Sequence, residues 1–242
     1  MIWTIYFITL TYFLVGGIGF HFINRKKDSG VAYKNRQKFV TYFLIINTLY
    51  LSIAFSPIIF KYLSAFIILL GLFELLRLFQ NSGYFQKVFF VGAFILFGVL
   101  SVGFYFFGNL DKELILFSFL VLSIFDSFSQ ITGQLWGKRK ILPQISPNKT
   151  LEGMIGGAVV ALLSAFLLNE LTSRPIYTTL FLSVGIVFFA FTGDAAASAY
   201  KRKYGVKNFS ELIPGHGGIL DRFDSLIAGG AWVSLCVYVL NI

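Results

Sequence analysis

The residues best equipped for chemistry in this chain are carboxylates placed where carboxylates are costly. Asp126 stands among Ser123, Ser127, Ser129 and Gln130 in an otherwise apolar run, and Asp194 stands in TGDAAASAYKRK near the end of another. Asp221 and Asp224 follow in LDRFD, at the start of a further run. A carboxylate in the middle of a membrane span costs about 2.5–3.5 kcal/mol, so each such residue is a candidate functional group. On a helix, Asp221 and Asp224 lie three residues apart and point the same way. Carboxylates gathered at one interface repel unless a cation joins them. Hard cations such as Mg²⁺ take carboxylate oxygens and keep waters and phosphates as other ligands. Plainer readings stay open: Asp126 as part of a polar seam between helices, and Asp221 as a helix N-cap bridged to Arg222 or Lys201. Glu74 has Arg77 three residues on, and a structural pair near the interface explains it.

Features suited to anions lie beside these acids. PGHGG, from Pro214 to Gly218, offers consecutive glycines whose amides can approach an anion just before a helix begins. His216 sits inside that stretch, where it could donate to a phosphate or remain structural. SPNKT, from Ser146 to Thr150, places a lysine and two hydroxyls ahead of a helix. A hydroxyl N-cap with Glu152 in the first turn is an ordinary alternative there, and it is compatible with phosphate binding. Other phosphate signatures fail. GQLWGKR has the wrong spacing for GxxxxGK[ST], and neither GxSxG nor HExxH occurs. The single Cys236 and two histidines exclude disulfide frameworks and Cys- or His-rich metal sites.

The elements that must position these groups are membrane helices. The chain has 242 residues, 57% hydrophobic and 13% charged, with a mean hydropathy of +0.77. A soluble domain of this length needs far more charge on its surface. The apolar runs are continuous and do not alternate as barrel strands do. They predict an all-α, polytopic bundle of about eight spans, near residues 2–23, 39–60, 62–79, 87–107, 113–136, 151–170, 176–200 and 222–241. The first run lacks a basic leader and is long enough to span, so it reads as a helix and not a cleaved signal. Only Pro57 to Lys61 separates the second and third, which suits a tight helical hairpin.

The net charge of +9 reads first as topology and calls for no nucleic acid partner. Of the 20 basic residues, all but Lys61, Lys112 and Arg174 fall on one side of this alternation. The positive-inside bias puts that side in the cytoplasm and both termini outside, as expected for a multi-pass protein of the cell (inner) membrane. The chain reads as one integral membrane domain, with N-terminal helices over 1–110 and a catalytic half over 111–242. Its two informative cytoplasmic loops are 137–150 and 201–221.

The segment SAYKRKYGVKNFSELIPGHGGILDRFD, Ser198 to Asp224, resembles the signature of the phosphatidate cytidylyltransferase (CDP-diacylglycerol synthase) family. SPNKTLEGMIGG, Ser146 to Gly157, resembles that family's second characteristic stretch, in the expected order. The likeness covers the C-terminal half from Asp126 onward, while the N-terminal half carries only hydropathy. It implies transfer of a cytidylyl group from CTP to phosphatidate, giving CDP-diacylglycerol and pyrophosphate within membrane lipid, in an enzyme that the resemblance suggests is a homodimer. It further implies that Asp194 and Asp221 hold Mg²⁺, alone or with a second cation, and act with Lys201 and Arg202 in catalysis. Ser146, Lys149, Thr150, Ser198, His216, Gly217, Gly218, Arg222, Asp224 and Asp126 would bind substrate. One departure is visible: Asn208 stands where the family pattern has Asp after Lys207.

Two rival functions share these residues. A kinase, or a cytidylyltransferase for another lipid phosphate or lipid alcohol, would use the same groups, and a kinase would release CDP where a cytidylyltransferase releases pyrophosphate. An ion-coupled transporter would use Asp126 and Asp194 near the midplane. The clustering of polar residues at the cytoplasmic end, beside a long Gly-rich loop, favours the enzyme.

Overall fold

A computed structural model describes residues 2–24 and 29–242 as eight α-helices and one small hairpin. The helices are α1 (Ile2–Asn24), α2 (Ser29–Phe55), α3 (Pro57–Asn81), α4 (Lys87–Phe107), α5 (Lys112–Trp136), α6 (Leu151–Leu167), α7 (Ile176–Lys203) and α8 (Leu220–Tyr238). Their outward faces are apolar: Val88 is 90% exposed and Leu167 80%. Such surfaces are intolerable in water and ordinary against lipid. The inner core is aromatic and aliphatic, with Phe60, Phe104, Phe107, Phe117 and Ile115 fully buried.

The expected eight spans are corrected to five. Among the described residues, Gly30–Phe55, Pro57–Asn81, Lys87–Phe107, Lys112–Trp136 and Ile176–Lys203 are long and apolar enough to cross a membrane. The other three helices fall short for separate reasons. α6 has only 17 residues, α8 carries Asp221, Arg222 and Asp224 at its start, and of α1 the fully described residues cover only the apolar segment Ile2–Thr11. Of the basic residues assigned to the cytoplasmic side, Arg25, Lys26 and Lys27 lie outside the described residues.

Local chemistry sets the helix boundaries near the site. Ser56 is extended and accepts from the Ile58 amide, and Pro57 opens α3, so one residue separates α2 from α3. The loop from Gly137 to Thr150 is not irregular throughout. It folds as β1 (Lys140–Leu142) against β2 (Ser146–Thr150), antiparallel, with Leu142 opposite Ser146 and Lys140 opposite Thr150. Thr150 then caps α6 by accepting from the Gly153 amide at 3.1 Å.

Close packing joins the helices that carry the acids. A Cβ on Gly157 of α6 would lie 2.8 Å from the Phe125 carbonyl of α5. A Cβ on Gly193 of α7 would lie 2.5 Å from the Ala228 Cβ of α8. These glycines let backbones approach in a medium where packing, and not water exclusion, drives helix association.

Candidate functional site

Asp194, Ser198 and Lys201 follow one another at intervals of four and three along α7, so they form a single stripe. Ser198 donates to Asp194 Oδ1 at 3.2 Å. Lys149, brought in by β2, pairs with Asp194 Oδ2 at 2.6 Å and lies 4.6 Å from the centre of the Phe191 ring. One turn further along the stripe, Lys201 pairs with Asp221 Oδ1 at 2.5 Å. That second pair is well buried, with side-chain exposures of 11% and 5%.

The neighbouring helices add two more acids. Asp126 from α5 and Asp224 from α8 each interact electrostatically with Asp194, and Asp224 also feels Asp126. Lys149 and Arg222 act on Asp126, and Lys201 acts on Asp224. Three acids from three helices thus share one small region with three basic side chains around it.

Beside them lies a cavity of about 490 Å³. Its polar wall includes Lys38 and Tyr42 from α2, Asp126, His216 and Arg222, while Ile46, Leu49, Phe119 and Leu226 form its apolar wall. His216 is held below the ordinary histidine value, first by partial burial and then by the positive charges of Arg222 and Lys38. Its ring stacks over Tyr42 with centroids 6.5 Å apart. Arg222 donates from Nε to the His216 carbonyl at 3.0 Å.

The Gly-rich loop departs from expectation. The amides of residues 216–220 are already engaged within the protein and are not free to cradle an anion. His216 and Gly217 donate to the Ile213 carbonyl, and Gly218 donates to Asp221 Oδ2 at 2.8 Å. Ile219 and Leu220 donate to the two oxygens of Glu74, each at 2.9 Å. Carboxylates accept amide hydrogen bonds more strongly than neutral groups do, and two of them inside the loop hold its donors. The glycines serve close approach instead: a Cβ on Gly218 would meet the Glu74 carboxylate, and Gly217 has φ of +89°.

Two further expectations are redirected. Asp194 and Asp221, the expected metal pair, are each tied to a different lysine. Both oxygens of Asp221 are engaged, the second by the amides of Phe209 and Gly218. Among the described residues no group of three His, Cys, Asp or Glu side chains is arranged to hold a metal ion. Arg202 points away from the acids, donating to the carbonyls of Ile145 and Val206. Ser146 lies in the β-hairpin and Thr150 caps α6, so of the SPNKT residues it is Lys149 that reaches the acids.

A profile described as the cytidylyltransferase family matches residues 3–240. The chain belongs to the cytidylyltransferase family. Relatives named phosphatidate cytidylyltransferase agree with that membership. The protein of Haemophilus influenzae is 43% identical over 121 residues, 48% of this chain and 42% of its own length. That of Staphylococcus epidermidis is 42% identical over 142 residues, 56% of this chain and 55% of its own. That of Bacillus subtilis is 44% identical over 128 residues, 49% of this chain and 46% of its own. The chain thus spans about half the length of the curated relatives it matches.

Sequence reasoning missed Lys38 and Tyr42, and it gave Glu74 the wrong partner. Glu74 was assigned to a pair with Arg77, yet the ion pairs among the described residues are Lys149–Asp194 and Lys201–Asp221. Glu74 is only 2% exposed and reaches the start of α8. Its depth in an apolar run already marked it as a candidate; its partner across the fold was not legible. For Lys38 and Tyr42 no local pattern existed, since only the folded chain sets α2 beside α5 and α8.

Proposed function

We propose that this protein is a CTP:phosphatidate cytidylyltransferase, making CDP-diacylglycerol and pyrophosphate. The observation that carries the reading is a cavity polar on one wall and apolar on the other, lined by Asp126 and Arg222, with Asp194, Asp224 and Lys149 in electrostatic reach of Asp126. A lipid phosphate needs that combination, because its head group is anionic and its chains stay in hydrocarbon. The names of the similar proteins support the same substrates.

In the reaction an oxygen of the phosphatidate phosphate attacks the α-phosphorus of CTP. The bond from that phosphorus to the bridging oxygen breaks, and pyrophosphate leaves with the electron pair. The nucleophile is already an anion, so no strong base is required. The obstacle is bringing anions together. Lys149 and Arg222 lower it by setting fixed positive charge where negative charge accumulates. Asp194 would hold Mg²⁺, a hard cation that keeps water and phosphate oxygens as its other ligands, and the ion would neutralise the nucleotide phosphates. Ser198 orients Asp194 from one turn along α7. Asp221 holds Lys201 and the Gly-rich loop in place, so its part is positional.

The excess of basic residues on one side of the bundle supports an active site facing the cytoplasm. The chain then works as one unit, since α2 and α3 of the N-terminal half supply Lys38, Tyr42 and Glu74. The test is pyrophosphate release by purified protein given CTP, Mg²⁺ and dioleoyl phosphatidate. Release should require the lipid and fall at least roughly a hundredfold in Asp194→Ala and Lys149→Met. Release of CDP instead, or none from folded protein, would overturn the reading.

A further inference from the structure

The deepest acid of the N-terminal helices lies outside the cavity. Glu74 projects from α3 into the junction between the Gly-rich loop and α8. Its Oε1 accepts from Ser210 Oγ at 2.6 Å and from the Ile219 amide at 2.9 Å, and its Oε2 accepts from the Leu220 amide at 2.9 Å. α8 has no capping side chain of its own: Ile219 occupies the cap position. A helix start leaves its first amides without intrahelical partners, and a carboxylate there both accepts from them and meets the positive end of the helix dipole. Glu74 does this from 146 residues away along the chain.

The neighbouring contacts show how tightly the junction is held. The Gly218 amide goes to Asp221, and the next two amides go to Glu74. Two carboxylates therefore clamp three successive amides. The side chains that follow are Arg222, on the cavity wall, and Asp224, beside Asp194. Rotating or fraying the first turn of α8 would move both.

We propose that Glu74 is a positioning residue. By capping α8 across the fold it sets the register of Arg222 and Asp224 against Asp194 and Lys149, without touching substrate. The proposal rests on the cytidylyltransferase reading for its kinetic consequence and on the hydrogen bonds alone for its structural one. Misplacing reacting groups by about 1 Å costs on the order of a hundredfold in rate, whereas binding groups that remain present still bind.

The test pairs kinetics with amide hydrogen exchange on full-length protein in one detergent. Glu74→Gln keeps the shape but replaces one accepting oxygen with a donor. It should accelerate exchange at Ile219 and Leu220 roughly tenfold or more, with α5 and α6 unchanged. The kcat per folded molecule should fall about tenfold or more, with KM for CTP and for phosphatidate within about threefold. Ser210→Ala removes one donor and leaves the carboxylate; should Glu74→Gln not fold, it carries the test, with kcat lowered about twofold to fivefold at constant KM. Wild-type kcat in the variants, or exchange raised evenly in every helix, overturns the proposal. A wild-type protein with no cytidylyl transfer would instead remove the reading beneath it, and the exchange data would still show whether Glu74 clamps the junction.

Discussion

Replacing Asp221 with Asn separates a positional role from a catalytic one. The substitution keeps size and shape and removes one charge. It leaves the Lys201 ammonium, 11% exposed, without its 2.5 Å partner. It also sets an amide NH₂ either against the lysine or against the amides of Phe209 and Gly218, both now donating at 2.8 Å. Breaking a buried pair by removing one member costs about 3–5 kcal/mol, because the remaining charge stays buried and unpaired. For a chain of this size that corresponds to a fall of roughly 6–20 °C in Tm. The assay is thermal unfolding in detergent of the wild type, Asp221→Asn, Lys201→Met and the double variant. If the pair holds the loop, the double variant should be less destabilised than the two singles added together, by about 1–3 kcal/mol. Strict additivity, or a Tm within about 2 °C of wild type for Asp221→Asn, would falsify the structural assignment and return Asp221 to the reacting groups.

Two other outcomes are expected. Gly157→Leu forces a side chain between α6 and the Phe125 carbonyl of α5; it should destabilise by at least about 1–3 kcal/mol, read as a lower Tm and as loss of a disulfide engineered across the α5–α6 contact. His216 is held below 6.5 in the folded protein, so the unfolded chain binds its proton first as pH falls. Stability from this group is therefore full above about 6.5 and declines below it, and Tm measured between about pH 7.5 and pH 5 should fall less in His216→Gln than in the wild type.

The sequence by itself determined the helical membrane character, because long apolar runs can satisfy their backbone in lipid only as helices. It also marked the candidate residues, since Glu74, Asp126 and Asp194 stand where charge is costly and SPNKT and PGHGG resemble a known family. What it left open were partners across the fold. Spacing along α7 put Asp194, Ser198 and Lys201 on one face, but nothing local assigned Asp194 to Lys149 and Lys201 to Asp221. The Gly-rich loop looked like an anion cradle because its glycines permit one; its amides were claimed by Asp221 and by Glu74, an acid in α3. Hydropathy placed the helices, and it overstated the spans where α6 is short and α8 begins with charge. Periodicity reports what a residue does within one helix. Which acid meets which base is decided by how separate helices pack, and only the tertiary structure holds that information.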